Sequence, residues 1–402
     1  MFTLFIVLAA TLRVTPTDPI ADGLVAEALR GAPEITAARA NVEAARRRIE
    51  PARTLPDPMA SFVYQNDGRA LSLGQAEGTF LGAMLSQQIP WPGKLSLSGD
   101  AARSAARELE AGVARRAELA IEARVRNAWY DLLLARALDR LAEERRTAAQ
   151  QIAASVRDRY AAGLAVQQDV LRAEVEVARL DEELASQRAA IAAKSAELHR
   201  LIGRPIDAGA PLPERADVPP AAEVIASVLA RSPELAAAAQ SVETGRIAIT
   251  LAKKNFLPDF VVSAGSMYRG SFDMGPMWQA GIGVTIPAWI ERRQRNQLAE
   301  AVADKEGREA EREVVARELE LRTRERLAQL DAADDVAALY RDKILPLDDL
   351  ALESALASYR TGKLPFVSVL DALNALYSDR ALYLGRLAES AKWRVAIDEG
   401  QP

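Results

Sequence analysis

The sequence predicts a mainly α protein with a small β part, built as a duplicated unit of a strand pair and a long helical hairpin. Three observations carry this. Residues Gly93 to Arg204 contain no proline and are rich in Ala, Glu, Arg and Leu, the composition of long helices. Within them Val166, Val170, Ala173, Val177, Leu180 and Leu184 are spaced 4-3-4-3-4, a heptad seam for helix-on-helix packing. Landmarks of the first half recur in the same order about 200 residues later, the mark of a tandem duplication.

Residues 2–12 (FTLFIVLAATL) are apolar and too short to span a bilayer as a helix. They read as the core of a secretory signal occupying about residues 1–20, although the usual Lys or Arg does not precede them and Arg13 follows. Asp22 to about Thr54 reads helical and stops at Leu55-Pro56-Asp57-Pro58. Residues 59–66 and 79–89 read as two strands around a polar, Gly-containing loop. Pro90-Trp91-Pro92-Gly93 ends the second strand and starts a rod.

The outgoing arm, Gly93 to Arg159, is 67 residues, about 100 Å of helix at a rise of roughly 1.5 Å per residue. It carries its own seam in Ile121, Val125, Ala128 and Leu132. The break Tyr160-Ala161-Ala162-Gly163-Leu164 turns it back, with Gly163 suited to the left-handed conformation that ends a helix. The return arm reaches Ile202 and stops at Gly203-Arg204-Pro205. The helices before the strands and after the turn, about 30 and 38 residues, together approach the length of the unbroken arm, so end to end they would run alongside it.

A Pro-rich linker over 206–221 separates a first repeat, 21–205, from a second, 222–402. Ser232-Pro233-Glu234-Leu235 answers Ala32-Pro33-Glu34-Ile35, and Leu257-Pro258-Asp259 answers Leu55-Pro56-Asp57. Ile286-Pro287 answers Ile89-Pro90, and Tyr359-Arg360-Thr361-Gly362 answers Tyr160 to Gly163. Pro346 has no counterpart and should kink or interrupt its arm.

Trp278, Ala280, Ile282, Val284 and Ile286 alternate with Gln279, Gly281, Gly283 and Thr285. Such period-two patterning suits a half-buried strand of a soluble sheet as well as a membrane barrel strand. Four strands cannot close a barrel, since membrane barrels start near eight strands, and lipid does not tolerate open sheet edges. Placed in a membrane, the chain would therefore have to oligomerise; three copies would supply twelve strands and twelve helical columns.

Composition removes other classes. A net charge of −5, with no cluster of Lys and Arg interleaved with aromatics, argues against nucleic acid. With no cysteine there is no disulfide, thiolate metal site, Cys nucleophile or lipid-modified N-terminal Cys. His199 is the single histidine and the six methionines are scattered, so neither His-based catalysis nor a soft-metal relay is visible. No cofactor is implied. Glu/Arg runs such as Ala142 to Arg146 fit the solvated face of a helix.

The duplicated PE(I/L) helix start, the LPD stop, the strand pair ending in IP, and the YxxG turn followed by an Asp and a second heptad run resemble the TolC family of outer-membrane efflux channels over about residues 22–398. The resemblance implies a homotrimer, with a short β-barrel in outer-membrane lipid and a helical tunnel across the periplasm. It implies passive export of small molecules or metal cations from the periplasm to the outside, through docking to a periplasmic adaptor (membrane fusion) protein and an inner-membrane RND-type pump. The LPDP and IPWPGK segments look most similar to the branch serving cobalt–zinc–cadmium or copper–silver pumps. The same trimer could instead serve type I protein secretion; a soluble coiled-coil scaffold is the reading without a membrane.

By the family's pattern, Asp169 and Asp371 would supply acidic rings at a gate where the hairpins converge, with Tyr160 and Tyr359 before the turns. The alternative is that both aspartates are ordinary coiled-coil surface and both tyrosines packing residues. Ser368 takes the place of one acidic gate residue, and Leu364 stands where a gate-locking basic residue would be. The tips, including Gly163, Leu164, Gly362 and Lys363, would touch the adaptor.

Overall fold

The structure is a computed structural model and describes residues 14–15, 18–66, 69, 79–206, 209–214, 216–269 and 275–399. The apolar leader at 2–12 lies outside the described residues, as does most of the loop between the first two strands.

Helix α1 spans Pro19–Gly31. The Asp18 carboxylate caps it by accepting hydrogen bonds from the backbone N–H groups of Ile20 and Ala21. The stretch expected to be one helix from Asp22 to Thr54 is three: α1, α2 (Pro33–Arg47) and α3 (Ile49–Arg53). The first break follows from Pro33, because a residue before proline is pushed out of helical geometry, and Ala32 is extended at φ −73, ψ 121.

Strands β1 (Met59–Gln65) and β2 (Phe80–Ile89) follow. The rod comprises α4 (Lys94–Leu109), a π-turn at Glu110–Ala114 and α5 (Arg115–Ala161); α6 (Gln167–Ile202) returns and ends on Gly203 at φ 88. The second half repeats the order. It has α7 (Ala221–Arg231), α8 (Pro233–Lys254), β3 (Asp259–Arg269), β4 (Met277–Thr285), a π-turn at Ile290–Gln294, α9 (Arg295–Leu339), a π-turn at Tyr340–Ile344, α10 (Leu345–Arg360) and α11 (Phe366–Glu399). Pro346 therefore does not stop its arm. The widened turn just before it loosens the backbone where the ring removes a donor and would crowd a carbonyl.

The chain forms two compact units, each drawing on both sequence repeats: residues up to 36, 116–232 and 317 onward in one, and 37–115 with 233–316 in the other. In the second of these the strands pair antiparallel in the order β1-β2-β3-β4. Phe62 lies opposite Ala83, Ala83 opposite Ser266, and Ser266 opposite Trp278. One face thus gathers Phe62, Tyr64, Leu81, Leu85, Val262, Trp278, Ile282 and Val284, while the other carries Ser61, Ser86, Ser263, Gly265, Gln279, Gly281 and Gly283. The apolar face is bare in the single chain: Phe62 is 83%, Trp278 82% and Ile282 79% exposed.

The strand-to-helix junction of this unit is locked by Asp259. Its carboxylate accepts from the Trp91 backbone N–H at 2.8 Å and from Lys94 Nζ at 2.8 Å. Trp91 stacks on Phe260.

In the other unit, Val125, Trp129, Tyr130, Leu132 and Leu133 of α5 are buried against α1, α6 and α11. The outgoing-arm seam is borne out: Ile121, Val125, Ala128 and Leu132 are all buried. In the return arm Ala173, Leu180 and Leu184 are buried and Val170 and Val177 pack beside them, but Val166 is 60% exposed because it precedes the first helical turn. Two ionic knots tie these helices. Asp131 of α5 accepts from Lys194 of α6 at 2.8 Å and from Lys392 of α11. Buried Arg394 of α11 donates to buried Asp334 of α9 at 2.6 Å.

Candidate functional site

Both hairpins end in the same motif. Gly163 adopts φ 75 and Gly362 φ 73, conformations that cost a residue with a Cβ atom. The Leu164 N–H reaches the Arg159 carbonyl at 2.8 Å and the Gly163 N–H the Tyr160 carbonyl at 2.9 Å; Lys363 to Ser358 and Gly362 to Tyr359 repeat the pattern at 2.9 and 3.0 Å. These are paired Schellman caps, and they account for the YxxG spacing: the glycine must fall where the helix reverses.

The two tips are joined. Arg159 Nη1 donates to the Arg360 carbonyl of the other hairpin at 2.7 Å, and Nη2 to the Leu164 carbonyl at 3.3 Å. Its guanidinium lies 5.0 Å from the centre of the Tyr359 ring, within cation–π range. Tyr359 in turn packs against Phe366 at 5.5 Å, in a cluster with Val156, Ala173 and Val369.

The sequence-selected residues separate into groups. Tyr359 is buried and Tyr160 is 47% exposed, so equivalent positions in the two repeats have different surroundings. Half-buried Asp169, in the first turn of α6, lies close enough to Tyr359 to act on it: burial pushes the Tyr359 hydroxyl pKa up, and the Asp169 charge adds to this. Ser368 is half-buried in the first turn of α11. Asp371 is exposed one turn further along and is not brought into the Arg159–Tyr359 group. Gly163, Leu164, Gly362, Lys363 and Leu364 are all exposed.

Arg159 is the residue that reading the sequence missed. One signal was available. The first repeat reads Arg159-Tyr160 and the second Tyr359-Arg360, so the aligned tyrosines have their arginines on opposite sides. Among the described residues no group of three or more His, Cys, Asp or Glu could hold a metal ion. No described helix is long and apolar enough to cross a membrane.

The family described as outer membrane efflux protein matches residues 24–204 and 224–397. The chain is 26% identical over 378 residues to the cobalt-zinc-cadmium resistance protein CzcC of Cupriavidus metallidurans, covering 90% of this chain and 85% of that one. Its fold is similar to that of CusC, in a structure described by conformational changes accompanying folding and transmembrane channel formation, with a TM-score of 0.79 at 17% identity over 97% of this chain and 94% of that one. It is likewise similar to the outer membrane protein VceC of Vibrio cholerae, with a TM-score of 0.75 at 21% identity over 95% and 96% of the two chains.

Proposed function

Since the chain belongs to the outer membrane efflux protein family, as the outer-membrane channel component of a tripartite efflux pump, we propose that it works as a homotrimer and exports heavy-metal cations. Three copies of the sheet form a twelve-stranded barrel in outer-membrane lipid, and the two tandem repeats of each of the three copies together supply twelve helical columns in the periplasm. The chain is a passive duct, not an enzyme. Its energy comes from an RND-type inner-membrane pump, reached through a periplasmic adaptor that docks on the exposed tips at Gly163, Leu164, Gly362 and Lys363.

The observation that carries this reading is the sheet itself. Its apolar face is bare, and among the described residues β1 and β4 form its two edges. Large exposed apolar surface marks an interaction site, and an edge in lipid must be paired. Similarity to CzcC supports metal cations as the cargo class. Asp169 and Asp371 face the conduit near its closed end, where stacked carboxylates draw cations in; Tyr160, Tyr359 and Ser368 complete the gate.

Gene disruption tests the assignment. Loss of tolerance to cobalt, zinc or cadmium, restored by the intact gene, with unchanged tolerance to dyes and detergents, is the expected result. Sensitivity to dyes and detergents alone would overturn the metal assignment. Loss of a secreted protein with tolerance intact would replace efflux by type I secretion.

A further inference from the structure

We propose that the methionines of the sheet form a binding site for a soft monovalent cation, Cu(I) or Ag(I), centred on Met84, Met267 and Met277. The binding stands on the sheet itself; its place along a lumen rests on the trimeric duct proposed above.

The methionines are scattered along the sequence but not on the sheet. Each strand carries one: Met59 in β1, Met84 in β2, Met267 in β3 and Met277 in β4. Met59 lies opposite Ser86, Ser61 opposite Met84, Met84 opposite Gly265, Gly82 opposite Met267, and Met267 opposite Met277. Opposed residues share a face, as do residues two apart on one strand. All four methionines therefore stand on the face that carries Ser61, Ser86, Ser263 and Gln279, away from the bare apolar panel. Directly opposed residues such as Met267 and Met277 have Cβ atoms about 4.5–5.5 Å apart. Met59 with Met84, and Met84 with Met267, are diagonal neighbours at about 7–8 Å. Long, adaptable thioether side chains cross such a gap.

This is not core filling. Among the described residues none of the four belongs to a buried core cluster, and Met59 and Met277 are exposed. Met84 and Met267 flank one cavity, together with Gly82, Gly265 and Gln279. The glycines leave room for them. A Cβ atom at Gly82 would meet Met267 Cγ at 3.0 Å, and one at Gly265 would meet Met84 Cβ at 3.1 Å. Gln279 Nε2 donates to Met84 Sδ at 3.3 Å, so this sulfur turns a lone pair towards the cavity.

A thioether is a neutral, polarisable donor that selects soft cations such as Cu(I). It has no proton to release on binding, so, unlike a carboxylate or imidazole site, it keeps its affinity as pH falls. Without charge it holds an ion loosely, and conduction requires sites that an ion can leave.

The test uses the full chain, purified in detergent with carbon-13 methyl labels on methionine and titrated with Ag(I) in chloride-free buffer. Ag(I) is the probe because it stays monovalent without a reductant. The methyl resonances of Met84, Met267 and Met277 should shift together and saturate, with the same midpoint at neutral and mildly acid pH. Zn(II) should leave them in place. Met84→Leu with Met267→Leu keeps the volume and removes the donors. It should weaken binding by about tenfold or more, the loss that even an outer-shell partner causes. Met277→Leu, on the exposed edge strand, should show a loss in the same direction.

Shifts undiminished in these variants, matched by Zn(II), or weakened by mild acid would overturn the site. No shift in a chain with the mass of three copies would overturn it too, and leave the duct reading standing. Ag(I) bound at these methionines in a chain with the mass of one copy would keep the site and remove its place along a lumen.

Discussion

Arg159 reaches a carbonyl on each side of the tip and covers Tyr359, so one side chain couples two hairpins that the chain connects only through distant segments. Hydrogen bonds from a charged donor contribute on the order of 1.5–3 kcal/mol. Arg159→Ala should loosen the tips, and in planar bilayers the variant should show more frequent or larger openings; traces indistinguishable from the parent would show that the coupling does not hold the gate. Asp131 makes a prediction of a different kind. Burial would raise its pKa, but the ammonium groups of Lys194 and Lys392 outweigh this and hold the carboxyl below its ordinary range. A carboxyl with a lowered pKa contributes stability that is complete above its unfolded-state pKa and lost as pH falls through the lowered folded value. Asp131→Asn should therefore lower the thermal midpoint at pH 7 and cost less at acid pH, as protonation of the parent carboxyl removes the same ion pairs. Equal losses at both pH values, by circular dichroism, would count against the ionic account. Asp348 runs the other way: burial first, then the hydrogen bond and charge of Asp379, raise its pKa. That term favours the fold below the ordinary carboxylate value and fades as pH rises.

The elements show what sequence can and cannot carry. Strands, reversals and helix stops were legible because each is imposed by local chemistry: alternation on the sheet, glycine at φ near 75 at the tips, and Gly203 at φ 88 after Ile202. The break at Ala32 was legible too, since Pro33 dictates it and Pro33-Glu34-Ile35 reads as a helix start, yet the span from Asp22 to Thr54 still reads as one helical stretch. The π-turns at 110–114, 290–294 and 340–344 carry no common sequence signature. The asymmetry between Tyr160 and Tyr359, and the reach of Arg159, exist only once two hairpins lie together. Pro346 sits where the two kinds of information meet. A proline inside a helix costs about 3 kcal/mol relative to alanine, and the adjacent π-turn absorbs part of that. Pro346→Ala restores a donor and stiffens the arm, and should slow or reduce opening. Unchanged opening statistics would dissociate this proline from gating.

For the whole molecule, the acid–base balance of −5 is nearly neutral, so the cation preference proposed above would have to come from where carboxylates are concentrated and not from the total. Asp169→Asn and Asp371→Asn should each lower the cation-over-anion permeability ratio, and the effect should shrink at high salt as the charges are screened. Selectivity unchanged by both substitutions would return these aspartates to ordinary helix surface. The bare sheet has a consequence for the life of a single subunit. In the assembly proposed above, each copy would first present, among its described residues, two raw hydrogen-bonding rims beside an oily panel. Such rims recruit any extended strand they encounter. Solitary copies are thus perishable in water, and yield should hinge on how fast sister subunits meet or on an escort that shields the panel until they do.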